Sequence, residues 1–210
     1  MASYRLGCDI GGTFTDFVLV DDTTGEIRIN KCLTTPRDPS EAVETGIRQL
    51  LGQGPDFMPD LTEIIHGTTL VINAIIERKG AKTGLITTKG FKDVLELGRE
   101  LRYDAYDIFA EYPEPLVPRP LRREVDERIY SDGRVLKPLK EEEVREVLGA
   151  LLEEGIQSLA VCLINSFENP VHELKIKEIV TREAPDLFLS ISYDVLPQIR
   201  EYERTSTTVA

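Results

Sequence analysis

The sequence predicts an α/β protein built on a mixed sheet, and three observations predict it. Apolar, alternating runs at about 4–10, 13–20 and 26–33 are joined by Gly11-Gly12 and by Asp21-Asp22-Thr23-Thr24-Gly25, turns that make an antiparallel meander. Helical and strand-like segments then alternate as far as residue 97, as in a mixed layer. A further helix, strand, helix, strand series between 141 and 193 predicts a second small α/β lobe with one crossover.

Each element has its own signal. Asp38-Pro39-Ser40-Glu41 reads as an N-cap, a proline at the first helical position and an early acid. It leads a helix with Ala42, Val43, Ile47, Leu50 and Leu51 on one side, ending near Gly52. Gly52 and Gly54 superficially open a G-x-G-x-x-G, but Phe57 replaces the last glycine and no strand precedes, so a Rossmann turn is discarded. A short strand, Glu63–His66, meets Gly67-Thr68-Thr69 and a helix from Leu70 to Lys79. That turn is either a second anion site at a helix start or simple capping by threonine. Thr83–Thr88 is a strand, and Phe91–Leu97 a short helix. The order so far is that of the ribonuclease-H-like core of actin-like ATPases and sugar kinases, whose first hairpin grips nucleotide phosphate; this is a fold-level analogy.

Residues 98–120 change character, with Arg99, Arg102, Tyr103, Tyr106 and Tyr112 followed by Pro113, Pro115, Pro118 and Pro120. Such a segment runs extended, and its arginines and tyrosines either line a cleft or form a solvated face. Leu121–Tyr130 and Arg134–Leu136 flank the hairpin turn Ser131-Asp132-Gly133. Glu141–Glu154 is an amphipathic helix, Leu159–Ile164 a buried strand, Val171–Ala184 a helix and Leu187–Tyr193 the last strand. The domains expected are therefore a phosphate-binding lobe at 1–98, a connector at 99–120 and a second lobe at 121–195. Residues 196–210 read as the start of a helix or of a connector, because they halt with no cap, glycine or proline.

Composition narrows the function. A net charge of −12 argues against nucleic acid, whose binding rests on clustered Lys and Arg. A phosphate ligand must then be held locally by amides, hydroxyls and a metal. No apolar run approaches a membrane span and no leader is visible, which predicts a cytoplasmic protein. The three cysteines, Cys8, Cys32 and Cys162, lie far apart in predicted strands and read as core residues in a reducing compartment. Of the two histidines, His172 reads as structural. His66, directly before Gly67, is placed to face the same cleft as Asp9 and Gly11. There is no G-x-S-x-G elbow, Walker loop or H-E-x-x-H.

The stretch Asp9-Ile10-Gly11-Gly12-Thr13-Phe14-Thr15-Asp16 carries the chemistry. Glycines at a turn let another molecule approach the backbone, and successive N–H groups there form an anion site. Gly11, Gly12, Thr13 and Thr15 are the phosphate-binding candidates. Asp9 and Asp16 are the catalytic acids, and carboxylate oxygens are what Mg²⁺ prefers. An ordinary hairpin explains the same residues equally well.

DIGGTFTD at 9–16, HGTTLVINAIIERKGAKTGLITTKGFKDVLELGRE at 66–100, SFENPVHE at 166–173 and LPQIREYERTSTTVA at 196–210 resemble the N-terminal region of the hydantoinase A, 5-oxoprolinase and acetone carboxylase β-subunit family. The resemblance covers nearly the whole chain, in the family's order. It implies an actin-like ATPase fold and an enzyme that uses ATP and Mg²⁺ to activate a lactam, cyclic imide or ketone by phosphoryl transfer, followed by hydrolysis or carboxylation. It implies that Gly11, Gly12 and Thr13 contact phosphate and that Asp9 holds the metal, with His66, Thr68 and Thr69 as substrate or second-site candidates. Family members are far longer, so a missing C-terminal region or second subunit is expected to complete the site, and these 210 residues alone are expected to be inactive. The alternatives are an acetone-carboxylase-type subunit, a sugar or carboxylate kinase of the same superfold, and a non-catalytic regulatory subunit.

Overall fold

The computed structural model describes residues 3–35, 37–51, 61–99, 106–109 and 112–210. The expected helix end near Gly52, the discarded turn at Gly52, Gly54 and Phe57, and Arg102 and Tyr103 lie outside the described residues. The chain divides into two compact units, Met1–Lys79 and Gly80–Ala210.

In the first unit, strands β1 (Tyr4–Ile10), β2 (Phe14–Asp21), β3 (Ile27–Leu33) and β4 (Leu61–Thr68) form one sheet in the order β3-β2-β1-β4. The first three make the expected antiparallel meander, and β4 joins β1 in parallel. Strand alternation decides what each face carries. Leu6, Cys8, Ile10, Phe17 and Leu19 are buried on one face, with Ala42, Val43 and Ile47 of helix α1 (Pro39–Leu51) packed near them. The other face carries Asp9, Asp16, Val18 and Ile29, and Ile29 is 75% exposed. Helix α2 (Leu70–Ile76) has only 7 residues and buries none of them. It ends before the expected Lys79, and Arg78 beyond it takes the left-handed φ of 56°.

The second unit holds a four-stranded parallel sheet, β10-β9-β5-β6. Its strands are β5 (Thr83–Thr88), β6 (Arg122–Val125), β9 (Ser158–Cys162) and β10 (Phe188–Ile191). The expected lobe boundary after residue 98 is not where the contacts part: β5 pairs with β6 and β9 and not with the first sheet. The physical reason is burial. Leu85 and Ile86, adjacent in β5 and so on opposite faces, are 1% and 0% exposed, and a strand buried on both faces belongs inside a parallel layer covered on both sides. The expected strand Leu121–Tyr130 is interrupted at Asp126-Glu127, so that β6 enters the parallel sheet while β7 (Arg128–Ile129) pairs with β8 (Val135–Lys137).

Helices α3 (Val94–Leu97), α4 (Glu141–Glu153), α5 (Val171–Glu183), α6 (Ser192–Val195) and α7 (Glu201–Val209) complete this unit. The last segment is a helix, one of the two forms expected of it, and it is docked. Arg204 of α7 is 1% exposed, donates to the carbonyls of Leu163 and Gln198 at 2.9 and 3.0 Å, and Val209 enters the core. His172 has the structural role expected of it. It is buried, its Nε2 accepts the Leu139 N–H at 3.3 Å, and its Nδ1 therefore donates to Glu127 at 2.6 Å.

The cysteines are free thiols, as their spacing predicts. Burial pushes the Cys162 thiol up, with Arg204 and Thr205 acting against it. Burial pushes all three thiols up, so access decides, and alkylation of the folded chain near neutral pH should label the half-buried Cys32 first and spare the buried Cys8 and Cys162. Mass spectrometry before and after denaturation checks this, with all three modified only once the chain is unfolded. Among the described residues, no helix is long and apolar enough to cross a membrane.

Candidate phosphate-binding turn

The sequence-predicted residues fall together at one end of the first sheet. The register sets Lys31, Asp16, Asp9 and Gly67 side by side across β3, β2, β1 and β4, on the face that α1 does not cover. Two carboxylates directly opposed on neighbouring antiparallel strands repel each other. Lys31 relieves one of them, its Nζ lying 2.8 Å from Asp16 and 5.0 Å from the centre of the Phe14 ring. Asp9 is exposed, and its carboxylate has no hydrogen bond or ion pair to any described residue. Beside it, Gly67 leaves room: a Cβ there would stand 3.3 Å from Asp9 Oδ1.

The turn itself is tight. Gly11 N–H donates to the Phe14 carbonyl at 2.9 Å, and a Cβ on Gly11 would come within 2.8 Å of that same oxygen. A Cβ on Gly12 would meet Asn73 Nδ2 at 2.8 Å. Gly11 requires glycine, because the near atom is backbone, whereas at Gly12 the near atom is the end of the Asn73 side chain, which can turn aside. The N–H groups of Gly12 and Thr13 and the Thr13 hydroxyl have no acceptor or donor among the described residues, and both residues are exposed. Two adjacent free amides beside a free carboxylate are the donor set for an anion and its counter-cation.

Other candidates have different surroundings from those expected. Thr15 is 0% exposed, so its hydroxyl is not presented to a ligand. Thr34 Oγ1 donates to the Gly11 carbonyl at 2.9 Å, which leaves Thr15 to donate to Thr34 Oγ1 at 3.0 Å. This relay braces the turn from behind. Thr15→Val should lower stability by about 1 kcal/mol, the usual worth of one buried hydrogen bond, which a urea melt checks.

His66 pairs in register with Cys8, not Asp9. The pleat thus places it on the opposite face from the two acids, because side chains at one level of a ladder share a face. Thr68 Oγ1 donates to the Ile10 carbonyl at 3.4 Å and accepts the Leu70 N–H at 3.2 Å, and Thr69 N–H donates to Ile10 O at 3.1 Å. These are bonds that tie the β4 end to β1 and start α2. The N-cap Thr69 makes no side-chain cap bond, the Leu70 N–H being taken by Thr68 one residue earlier, and a 7-residue helix offers little dipole for an anion.

Two residues were missed from sequence. Asn73 walls the turn over Gly12 and donates to Thr69 Oγ1 at 3.4 Å; its signal was a lone amide in the apolar run of α2. Lys31 was legible as the cross-strand neighbour of Asp16 once the meander register was drawn. Among the described residues no group of three or more His, Cys, Asp or Glu is placed to cage a metal. A metal here would take few protein ligands, the usual mode for Mg²⁺ on a phosphate.

The model of the hydantoinase/oxoprolinase N-terminal region matches residues 5–184. The chain belongs to that family. It is 41% identical over 212 residues to the caprolactamase α subunit of Pseudomonas jessenii, covering 98% of this chain and 30% of that one. It is 32% identical over 232 residues to 5-oxoprolinase 1 of Arabidopsis thaliana, covering 97% of this chain and 18% of that protein. A nucleotide-free structure of acetone carboxylase, an enzyme of ATP-dependent acetone carboxylation, superposes with a TM-score of 0.90 at 29% identity, covering all of this chain and 32% of that chain. The mixed α/β architecture of ribonuclease-H-like type expected from sequence is thus the fold of this family region. The chain spans about a third or less of the length of these relatives.

Proposed function

We propose that this chain is the N-terminal part of an ATP-dependent cyclic amide hydrolase of the hydantoinase and oxoprolinase kind, with Mg-ATP held at the Gly11-Gly12-Thr13 turn. One observation carries the reading: the unbonded amides of Gly12 and Thr13 sit at the end of the strand that presents the unpaired carboxylate of Asp9. The residues fit the group, because glycines clear the approach and the donors need no side-chain rearrangement. Bound Mg-ATP supplies the transferable phosphoryl group and a divalent charge.

Each residue then has a defined task. Gly12 and Thr13 N–H groups bind and orient phosphate oxygens. Asp9 holds the metal directly or through water. Asp16, fixed by Lys31, keeps a second negative charge opposite Asp9, and Asn73 closes the side of the turn. Phosphoryl transfer asks mainly for such positioning and charge neutralisation, which is why no nucleophilic triad is needed. The remaining length of the relatives supplies the rest of the site, so the 210 residues alone should sustain no steady ATP turnover.

The test follows the complete protein with Mg-ATP and a lactam. Free phosphate with ring-opened product is expected. A stable phosphorylated product would assign a kinase instead, and no calorimetric heat with Mg-ATP would assign a regulatory subunit.

A further inference from the structure

The second unit carries a cleft of 420 Å³ between α3 and the start of α7, within the range that holds small molecules. Phe91, Val94 and Leu97 give it an apolar wall. The charged residues at its mouth are of two kinds. Arg99 and Glu203 are already paired at 2.7 Å. Arg200 and Glu201 are less engaged: Glu201 has no side-chain partner among the described residues, and the Arg200 guanidinium makes no hydrogen bond and only a long, 4.0 Å ion pair with Glu203. Arg200 also holds φ 90° and ψ 104°, a region disfavoured for every residue but glycine, and such strain in a non-glycine residue recurs at ligand sites. Gly98, with φ 55° and ψ −130°, bends the opposite rim, and Tyr202 lies 3.8 Å from where its Cβ would be.

We infer that this cleft binds the cyclic amide. The inference rests on the reading of the chain as a cyclic amide hydrolase and adds the place and residues of substrate binding. A lactam presents a carbonyl acceptor and an N–H donor side by side on an apolar ring. A guanidinium with every N–H donor free of a hydrogen bond, next to an unpaired carboxylate and beside an apolar wall, matches that pattern: Arg200 donates to the carbonyl, Glu201 accepts from the N–H, and the ring methylenes cover Phe91, Val94 and Leu97. The Arg99–Glu203 pair fixes the helix start without competing for the ligand.

The test titrates the 210-residue chain with δ-valerolactam. The sequence has no tryptophan, so tyrosine fluorescence, which includes Tyr202 in the cleft, reports occupancy. Saturable binding is expected, weakened about tenfold or more by N-methylation of the lactam or by Arg200→Gly, each removing one hydrogen bond to a charged group. Arg200→Gly also relieves the positive φ, so its melting temperature should hold or rise, which separates lost binding from lost folding. Glu201→Ala should weaken the parent lactam and leave the N-methyl lactam unaffected. Absence of saturable binding, binding indifferent to Arg200→Gly, or tighter binding of the zwitterion proline than of the lactam would each overturn the assignment. In the complete protein, lactam hydrolysis with an unchanged KM in Arg200→Gly would overturn this cleft alone and leave the proposed function standing. Loss of Mg-ATP binding by the unaltered protein would instead count against the proposed function.

Discussion

With Asp9 in the proposed metal role, Asp9→Asn in the complete protein should lower ATP-dependent turnover by about 10²–10³, the cost of removing one preorganised electrostatic contact to a reacting phosphate. The substitution keeps the shape and removes the charge. Because Asp9 is exposed and its carboxylate makes no bond to any described residue, nothing among those residues depends on that carboxylate. Removing it also relieves its repulsion with Asp16 across the ladder, so the melting temperature should stay the same or rise slightly. Asp16→Asn should behave differently. Its carboxylate is already engaged by Lys31 at 2.8 Å, so that change frees the lysine and should reduce turnover less than Asp9→Asn does. Steady-state phosphate release with calorimetric titration of Mg-ATP measures both. Equal losses in the two variants, or full activity in Asp9→Asn, would remove Asp9 from the metal role proposed for it.

The difference between the two acids shows how far the sequence could be read. The sequence named both acids and the meander that carries them, and the register of β1 against β2 places them opposite each other. The residue that neutralises Asp16 stands at the same level on β3, so it too was within reach. Burial was not. Thr15 looks as available as Thr13 in the string DIGGTFTD, yet a single step along β2 turns it to the covered face and into a bond with Thr34, a residue 19 positions away. His66 fails for the same reason: strand-end position was readable, but its level against Cys8 depended on the parallel register of β1 and β4. The lobe boundary was misplaced because local pattern cannot say which sheet a buried parallel strand joins. β5 reads the same in either sheet, and only its long-range pairing with β9 decides. The C-terminal run gave no apolar stripe strong enough to predict docking, since α7 is anchored by Arg204 and threonines through polar bonds.

Gly46→Ala should unfold the first unit more readily than any exposed change, because of where the added methyl points. A Cβ at Gly46 would stand 2.1 Å from Phe17 Cε2 and 2.2 Å from Cζ, far inside the normal carbon contact of about 3.5–4.0 Å. Phe17 is 0% exposed, so its ring cannot swing into solvent without opening the core. The helix cannot retreat freely either, since Asn30 Nδ2 donates to the Gly46 carbonyl at 3.1 Å and Cys32 Sγ donates to the Ala42 carbonyl at 3.3 Å. Alanine brings roughly 1 kcal/mol of helix propensity over glycine, which opposes the clash. Overpacking of a filled core costs about 1–3 kcal/mol and sometimes more, and with both ring and helix held, a net loss of about 2 kcal/mol is expected. Native-state hydrogen exchange at the β1 and β2 amides reads the first unit directly. A double-mutant cycle with Phe17→Leu isolates the cause: the smaller side chain should recover much of the loss in the Gly46→Ala background while costing stability alone. Additive losses would mean that the helix, and not the ring, yields.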